Sequence, residues 1–470
     1  MEKPLTAIVL GAGNRGRDAY GAYAAKYKEK IQIIGVAEPV EDRRKRFNEI
    51  HEIPEDRSFD TWEKILAQPK FADAAIITTR DDMHTKPAIL AMEKGYEILL
   101  EKPMSNKLDE CVQLVKKSEE LGKHLQICHV LRYTKFYSTV YDVIHSGKIG
   151  ELVNIECKEN VTYWHFTHSY VRGFWRNSKE SSPLILAKCC HDLDLLYWMV
   201  GKLPKKISSF GSLTHYKADQ APPDAPKRCL DGCPHSETCF HYAPFLYIDI
   251  VPLLRVGCES DRRLIKFFSK LAMNHKTTIK ALSKIIPLLK RVVDFRDWPV
   301  SVITDDLSYE GKIKALKEGP WGRCVYHCDN NQPDHMIVGI EFENGVTANL
   351  TVHGHSAVEG RSIRVDGTKG TLIGDFLGSG ERLWFYDKLS GRRELVHKAK
   401  MFQEGTSAHG GGDWRLMDAL VDLLQQNISK PLTSARASLE SHIMAFAAEK
   451  ARVEGEIIDM AKYRREVMNL

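Results

Sequence analysis

The sequence predicts an α/β chain in which a doubly wound parallel sheet is followed by an α+β region with a large, mostly antiparallel sheet. Two patterns and one length predict it. Over residues 1–128 short apolar runs alternate with amphipathic stretches, the grammar of strands and crossover helices in a parallel sheet. From about residue 130 the runs lengthen and alternate polar with apolar side chains, as strands with one wet face do. At 470 residues the chain is too long for one ordinary core, and it divides into a unit over 1–128 and a second over 129–470.

The elements follow in order. Strands are expected at Thr6–Leu10, Ile31–Ala37, Ala74–Thr78, Glu97–Leu100 and Leu125–His129, each rich in Ile, Val or Leu and suited to burial on both faces. Helices are expected between them at Asn14–Lys28, Glu41–Ile50, Met83–Lys94 and Lys107–Leu121, the last closed by Gly122. A helix at Lys135–His145 ends near Gly147 and opens the second unit. Its strands are expected at Leu152–Tyr163, Ile207–Tyr216, Asp334–Glu343, Thr347–Gly354, Ser362–Val365 and Arg382–Tyr386, with closing helices at Trp414–Gln426 and Ser438–Glu454.

Residues 218–332 break this pattern as an insertion. The stretch opens rich in proline, then carries clustered cysteines, then a basic helical segment from Arg262 through Lys266, Lys270, Lys276, Lys280 and Lys284 to Arg291. Leu264, Ile265, Phe268, Leu271, Leu282 and Ile285 give that segment an apolar stripe, which reads as a helix pair packed on the parent unit with a solvated basic face. An insertion of this size also suits a subunit interface or an active-site cover.

Charge excludes some classes of function. The 67 basic and 62 acidic residues leave a net charge of +5, too weak for nucleic-acid or membrane binding by bulk electrostatics. No apolar run approaches the roughly 20 residues of a membrane span. The N-terminus runs straight into a strand without a signal peptide's apolar core, so a cytoplasmic protein is expected. Eleven cysteines in such a protein are buried apolar residues or, in part, metal ligands.

The chemistry-bearing motifs begin at Gly11-Ala-Gly13-Asn14-Arg15-Gly16, placed between the first strand and the first helix. Gly11 permits the tight turn, Gly13 lets backbone approach a pyrophosphate, and Gly16 lets helix and strand pack closely, the dinucleotide fingerprint of a Rossmann unit. The helix N-terminus offers free N–H groups to phosphate. Glu38 ends the second strand, where a carboxylate accepts from ribose hydroxyls and repels a 2′-phosphate. NAD is therefore favoured, while Arg43 and Arg44 nearby keep NADP as the alternative. Glu101-Lys102-Pro103 follows the fifth strand, at the end of the sheet where ligands bind, so Lys102 faces the cofactor crevice or sits in a surface turn. Residues Ala187–Leu196 read as helix, which puts Lys188, His191 and Asp194 at i−3, i and i+3 on one face. A core histidine is the plain alternative, but three ionisable groups on one stripe are costly to bury without purpose.

Together these motifs resemble the Gfo/Idh/MocA oxidoreductases, a family named in part for glucose–fructose oxidoreductase and inositol dehydrogenase. Thr78-Thr79-Arg-Asp-Asp-Met-His84 resembles its post-strand loop, and Ile363–Gly370 resembles its sheet-domain hairpin. The resemblance implies hydride transfer between a nicotinamide cofactor and a CH–OH group of a sugar, polyol or glycoside. It also implies a homo-oligomer formed through the open sheet. Lys102 and His191 match the family's catalytic lysine and histidine, and Asp194 its acid three residues on. The cofactor set becomes Gly11, Gly13, Asn14, Arg15, Gly16, Glu38, Arg43, Thr78, Thr79, His84, Glu101 and Lys102. One departure stands out: where inositol-dehydrogenase-like members carry an aspartate four residues before the histidine, this chain has Ala187, with Lys188 beside it as a substrate-binding candidate.

The chemistry assigns roles. An imidazole titrates at about 6.5 and takes a hydroxyl proton near neutral pH, whereas a lysine at about 10.4 must first be depressed. His191 is therefore the expected base, with Lys102 donating to the reacting oxygen, and the swapped assignment is the alternative. Tyr163–Arg176, holding His165, Arg172, Trp175 and Arg176, is dense in rings and planar donors and reads as a substrate wall together with Arg132 and Tyr133. His409 and Asp413, bracketing three glycines, are further substrate candidates. Cys229, Cys233 and Cys239, in an irregular C-x3-C-x5-C, are candidates for a structural zinc. Two other functions compete: glycoside cleavage through transient oxidation and elimination, and non-enzymatic sugar sensing.

Overall fold

The computed structural model describes residues 3–259, 263–283, 285, 289, 292–376, 381–399, 409–426 and 430–468. The first sheet has six strands: β1 (Leu5–Leu10), β2 (Ile31–Ala37), β3 (Ser58–Phe59), β4 (Ala74–Ile77), β5 (Glu97–Leu100) and β6 (Leu125–Ile127). Their spatial order is β3-β2-β1-β4-β5-β6, and every neighbouring pair is parallel. The order in which strands are added reverses between β1 and β4, and the crevice beyond their carboxyl ends is where a doubly wound sheet binds its ligand. Strand β3 escapes the sequence because two residues pairing with Val36 and Ala37 carry no periodicity.

The second sheet has nine strands in the order β14-β13-β12-β11-β7-β10-β9-β8-β15. They are β7 (Leu152–Thr162), β8 (Pro204–Ser212), β9 (His335–Phe342), β10 (Thr347–Ser356), β11 (Gly360–Gly367), β12 (Gly370–Phe376), β13 (Arg382–Asp387), β14 (Arg393–Lys398) and β15 (Ile458–Asp459). All pairs are antiparallel except β10 with β7. Strand β8 stops short of the expected Tyr216 because Asp334 accepts the backbone N–H groups of Thr214 and His215, at 2.8 and 2.7 Å, and peels the chain off the sheet.

Six helices position the site: α1 (Leu108–Glu120), α2 (Lys135–His145), α3 (Cys190–Val200), α4 (Arg263–Asn274), α5 (Gly412–Gln426) and α6 (Ala435–Glu454). The helix expected across Ala187–Leu196 is broken. Leu184–Ala187 forms one turn, Cys189 leaves the helical region at φ −103° and ψ 7°, and α3 starts afresh at Cys190. Lys188 thereby lies outside the helix that carries His191 and Asp194. Helix α5 returns from the second unit to the first sheet, seating Leu416, Met417, Leu420 and Val421 against Ala7, Val9 and Tyr23. This crossing brings Asp413 to the glycine turn.

The insertion packs through two small clusters of its own, one of which joins Trp164 to Tyr247 and Leu316. Of the expected apolar stripe, Phe268, Leu271 and Leu282 pack against the second of these clusters, whereas Leu264, Ile265 and Ile285 are exposed. Arg262, Lys284 and Arg291 of the basic segment lie outside the described residues. Among the described residues no helix is long and apolar enough to cross a membrane.

Candidate active site

The glycine turn is built for a ligand. Gly11 sits at φ +96°, and a Cβ there would stand 2.8 Å from the carbonyl oxygen of Thr78. A Cβ on Gly16 would stand 2.1 Å from the carbonyl oxygen of Gly11, whereas one on Gly13 would meet nothing within 4 Å, so backbone at Gly13 opens onto the crevice. The following stretch, Asn14–Gly21, is wound in the wider π form and leads into Ala22–Lys26. Glu38 is buried at the end of β2 and braces the turn: Oε2 accepts from Ala12 N at 2.8 Å and Oε1 from Val40 N at 3.0 Å. Thr78 donates to Gly11 O at 2.5 Å and Thr79 to Met83 O at 3.1 Å. The ring of His84 bridges the carbonyls of Pro103 and Thr79, tying the loop after β4 to the loop after β5. The side chain of Asn14 donates to Asp18 within its own helix, at 3.0 Å.

This turn forms one wall of a cleft of about 1140 Å³, enough for a dinucleotide and a small substrate. Gly11, Gly13, Glu38, Lys102 and His191 all line it. Lys102 Nζ donates to Ala187 O at 2.9 Å, reaching from the first sheet to the turn before α3. His191 is 3% exposed, and neither ring nitrogen has a hydrogen-bond partner among the described residues. Burial, then the charge of Lys102, then His129 and His409 push its pKa well below the ordinary imidazole value, so it stands neutral at pH 7.

A charge cluster flanks this pair. Arg15 Nε donates to Glu101 Oε1 at 2.6 Å, and its Nη2 to Asp413 Oδ1 at 2.5 Å. Tyr20 donates to the same Glu101 oxygen at 2.7 Å, and Glu101 Oε2 accepts from Lys102 N at 2.9 Å. Burial would raise the carboxyl of Asp413, but Arg15 and His409 hold it well below its usual range. His409 lies 3.2 Å from Asp413, with its ring 5.9 Å from that of His191. Tyr20 belongs to this cluster and had no sequence signal beyond an apolar helix face.

Other expected site residues stand apart from the cleft. Asp194 is buried behind α3 and takes a bidentate grip from Arg132, with Nε–Oδ2 at 2.7 Å and Nη2–Oδ1 at 2.6 Å. Tyr133 hydrogen-bonds Gln126 and Thr433. Lys188 pairs with Glu159 at 3.1 Å, and His165 with Glu359 at 2.8 Å. Both join a buried network with Arg361 and Asp192, which the sequence did not reveal because its members come from β7, β11, α3 and the segments beside them. Arg176 pairs with Asp329 at the surface. Trp175 does line the cleft and donates to Asp81 Oδ2 at 2.9 Å. The insertion adds Trp298, Trp321 and Asp305 to the far lip, residues without a legible motif.

The cysteines correct an expectation. Cys229, Cys233 and Cys239 gather with Cys324 around a void of about 20 Å³, but Arg172 lines it too, donating to His241 O at 2.8 Å and reaching Cys229 Sγ at 3.6 Å. A guanidinium there opposes a divalent cation. Burial also pushes the Cys239 thiol up and that of Cys324 up to about 11, so both keep their protons. Among the described residues no group of three or more His, Cys, Asp or Glu is placed to hold a metal, and the zinc expectation finds no support. Arg172 itself serves this core rather than the cleft.

Comparison with known proteins is consistent with this geometry. A family model described as an oxidoreductase family with an NAD-binding Rossmann fold matches residues 5–129, and its C-terminal alpha/beta domain partner matches residues 142–243. YteT of Bacillus subtilis, a protein named as an oxidoreductase, is 20% identical over 388 residues, covering 80% of this chain and 78% of that one. The 2,7-anhydro-N-acetylneuraminate hydratase of Escherichia coli is 26% identical over 151 residues, 32% of this chain and 40% of its own. The inositol 2-dehydrogenase of Corynebacterium glutamicum is 26% identical over 225 residues, 46% of this chain and 61% of its own. In fold, the chain is similar to an Agrobacterium radiobacter oxidoreductase crystallised with NAD+, L-tartaric acid and magnesium, with a TM-score of 0.64 at 14% identity, covering 97% of this chain and 99% of that one.

Proposed function

The chain belongs to the Gfo/Idh/MocA oxidoreductase family, and we propose that it moves a hydride between NAD and a CH–OH group of a sugar or polyol. The observation that carries this reading is the shared cleft: Lys102 from the first sheet and His191 from α3 meet beside a glycine turn open at Gly13. Backbone at Gly13 and Thr78 and the carboxylate of Glu38 would hold the dinucleotide. When bound, its nicotinamide supplies the hydride acceptor or donor.

This chain's residues do the rest. His191, neutral and without a protein partner for either ring nitrogen, takes the hydroxyl proton as the carbonyl forms. Lys102, held by a neutral carbonyl rather than a carboxylate, donates to the same oxygen and stabilises its developing negative charge. Trp175, Phe174 and Trp298 offer aromatic faces to the apolar side of a ring, a substrate wall different in membership from the expected one. Asp194 acts at one remove, fixing Arg132 behind α3. Exposed Phe210 pairs across strands with Ile337 on the open face of the second sheet, which supports a homo-oligomer formed there.

Turnover against a panel of sugars and polyols, followed by NADH absorbance, tests the reading. No NADH change with any of them, together with no NAD binding, would overturn it. The hydratase relative favours a second reading, in which the hydride is taken and returned within one turnover to permit elimination. A consumed glycoside with unchanged bulk NADH would select it.

A further inference from the structure

The insertion lines the cleft beside Glu38, and it brings there the carboxylate of Asp305 along with Arg296, which is itself paired with Asp294. In a doubly wound sheet the residue ending β2 faces the adenosine ribose, and a nearby arginine is what pairs with a 2′-phosphate when NADP is bound. Here Glu38 ends β2, and Arg43 follows it on the helix Glu41–His51, also lining the cleft. By sequence alone Arg43 is a ready phosphate reader. In the fold it is engaged: its Nε donates to Asp305 Oδ1 at 3.0 Å. Arg44 is likewise turned inward, its guanidinium donating to the backbone carbonyl of Glu38.

Asp305 comes from the inserted segment more than two hundred residues away, and with Ser301, Val302, Thr304 and Leu307 it forms the lip facing Glu38. The same lip acts on Arg17, whose pKa is raised first by its hydrogen bond to Asp18 and further by Asp297 and Asp305. We propose that the insertion sets cofactor specificity: Asp305 withholds Arg43 from a 2′-phosphate, so that NADP meets the carboxylates of Glu38 and Asp305 while Arg43 and Arg44 are both engaged. This rests on the reading that the cleft binds a dinucleotide. Both partners of the pair are about one-third exposed, so a bound phosphate could reach Arg43 once Asp305 released it.

The test is equilibrium binding of NAD+ and NADP+ to the full chain, by calorimetry, for wild type, Asp305→Asn, Asp305→Ala and each combined with Arg43→Ala. A released guanidinium gains one charge-assisted bond to the 2′-phosphate, so each single variant should shift the NADP+ to NAD+ affinity ratio upward by about tenfold or more. Arg43→Ala added to either should abolish the gain, and the gain should shrink as salt rises. An unchanged ratio in both single variants, or a gain that survives Arg43→Ala, overturns the inference while leaving NAD binding intact. Wild type that binds neither nucleotide overturns both this inference and the function it rests on.

Discussion

Asp194→Asn separates a chemical role from a supporting one. Asp194 and Arg132 are 1% and 4% exposed and share two bonds of 2.6 and 2.7 Å. The amide keeps the shape and one acceptor oxygen but removes the charge, leaving a buried guanidinium that donates only to neutral oxygens, the amide Oδ1 and the carbonyl of Leu432. Breaking a buried pair by removing one partner costs about 3–5 kcal/mol. At roughly 2–4 °C per kcal/mol for a domain of 150–250 residues, Tm should fall by about 6–20 °C. Differential scanning calorimetry measures this, and kcat assayed well below the lowered Tm should stay within about threefold, far from the hundredfold that loss of an acid–base group brings. Arg132→Ala combined with Asp194→Ala should cost less than the two single changes added together, because no charge is then left unpaired. An unchanged Tm with kcat down a hundredfold would show that Asp194 takes part in the reaction itself.

Three further outcomes are expected. Lys102→Ala and His191→Ala should each lower kcat by about 10²- to 10⁴-fold while NAD+ affinity changes only a few-fold; steady-state rates and calorimetric titration measure the two, and unchanged turnover removes the assigned site. Since burial and Lys102 disfavour the imidazolium of His191, kcat/KM should hold steady as pH falls through about 6.5 and decline only at lower pH, and a limb at the ordinary imidazole value would remove His191 as base. Prolonged dialysis against a chelator should leave Tm unchanged, since Arg172 already lies among the thiols; a large drop would restore a structural metal.

What was legible in the sequence was local. The fingerprint at Gly11–Gly16, the lysine after β5 and the histidine that begins α3 each depend on a few adjacent residues, and each lies on the cleft. The face shared by Lys188, His191 and Asp194 was not legible, because it assumed an unbroken helix and Cys189 breaks it. A non-helical residue at this one position accompanies the packing of α3 against β7 and α6, which periodicity does not encode. His409 and Asp413 reach Arg15 only because α5 docks on the first sheet. The aromatic run at 163–176 looked uniform, yet its residues divide among three environments: the cleft for Trp175, the cysteine core for Arg172 and the surface for Arg176.

The ion pairs in the cleft and in the network behind it explain why Lys102 is suited to the reacting oxygen. Arg15 is held by Glu101 and Asp413, Arg43 by Asp305, Arg361 by Glu159 and Asp192, and Lys188 by Glu159. Each of these carries a carboxylate at hydrogen-bond distance, so a substrate oxygen would compete with a full negative charge for it. Lys102 instead donates to a peptide carbonyl, a weaker partner that a developing alkoxide can displace. The same charge disfavours protonation of His191 before substrate arrives. Burial, with this lysine second, thus keeps the base neutral, and the same lysine receives the oxygen from which the base takes its proton, because the nearby carboxylates are committed to the neighbouring arginines.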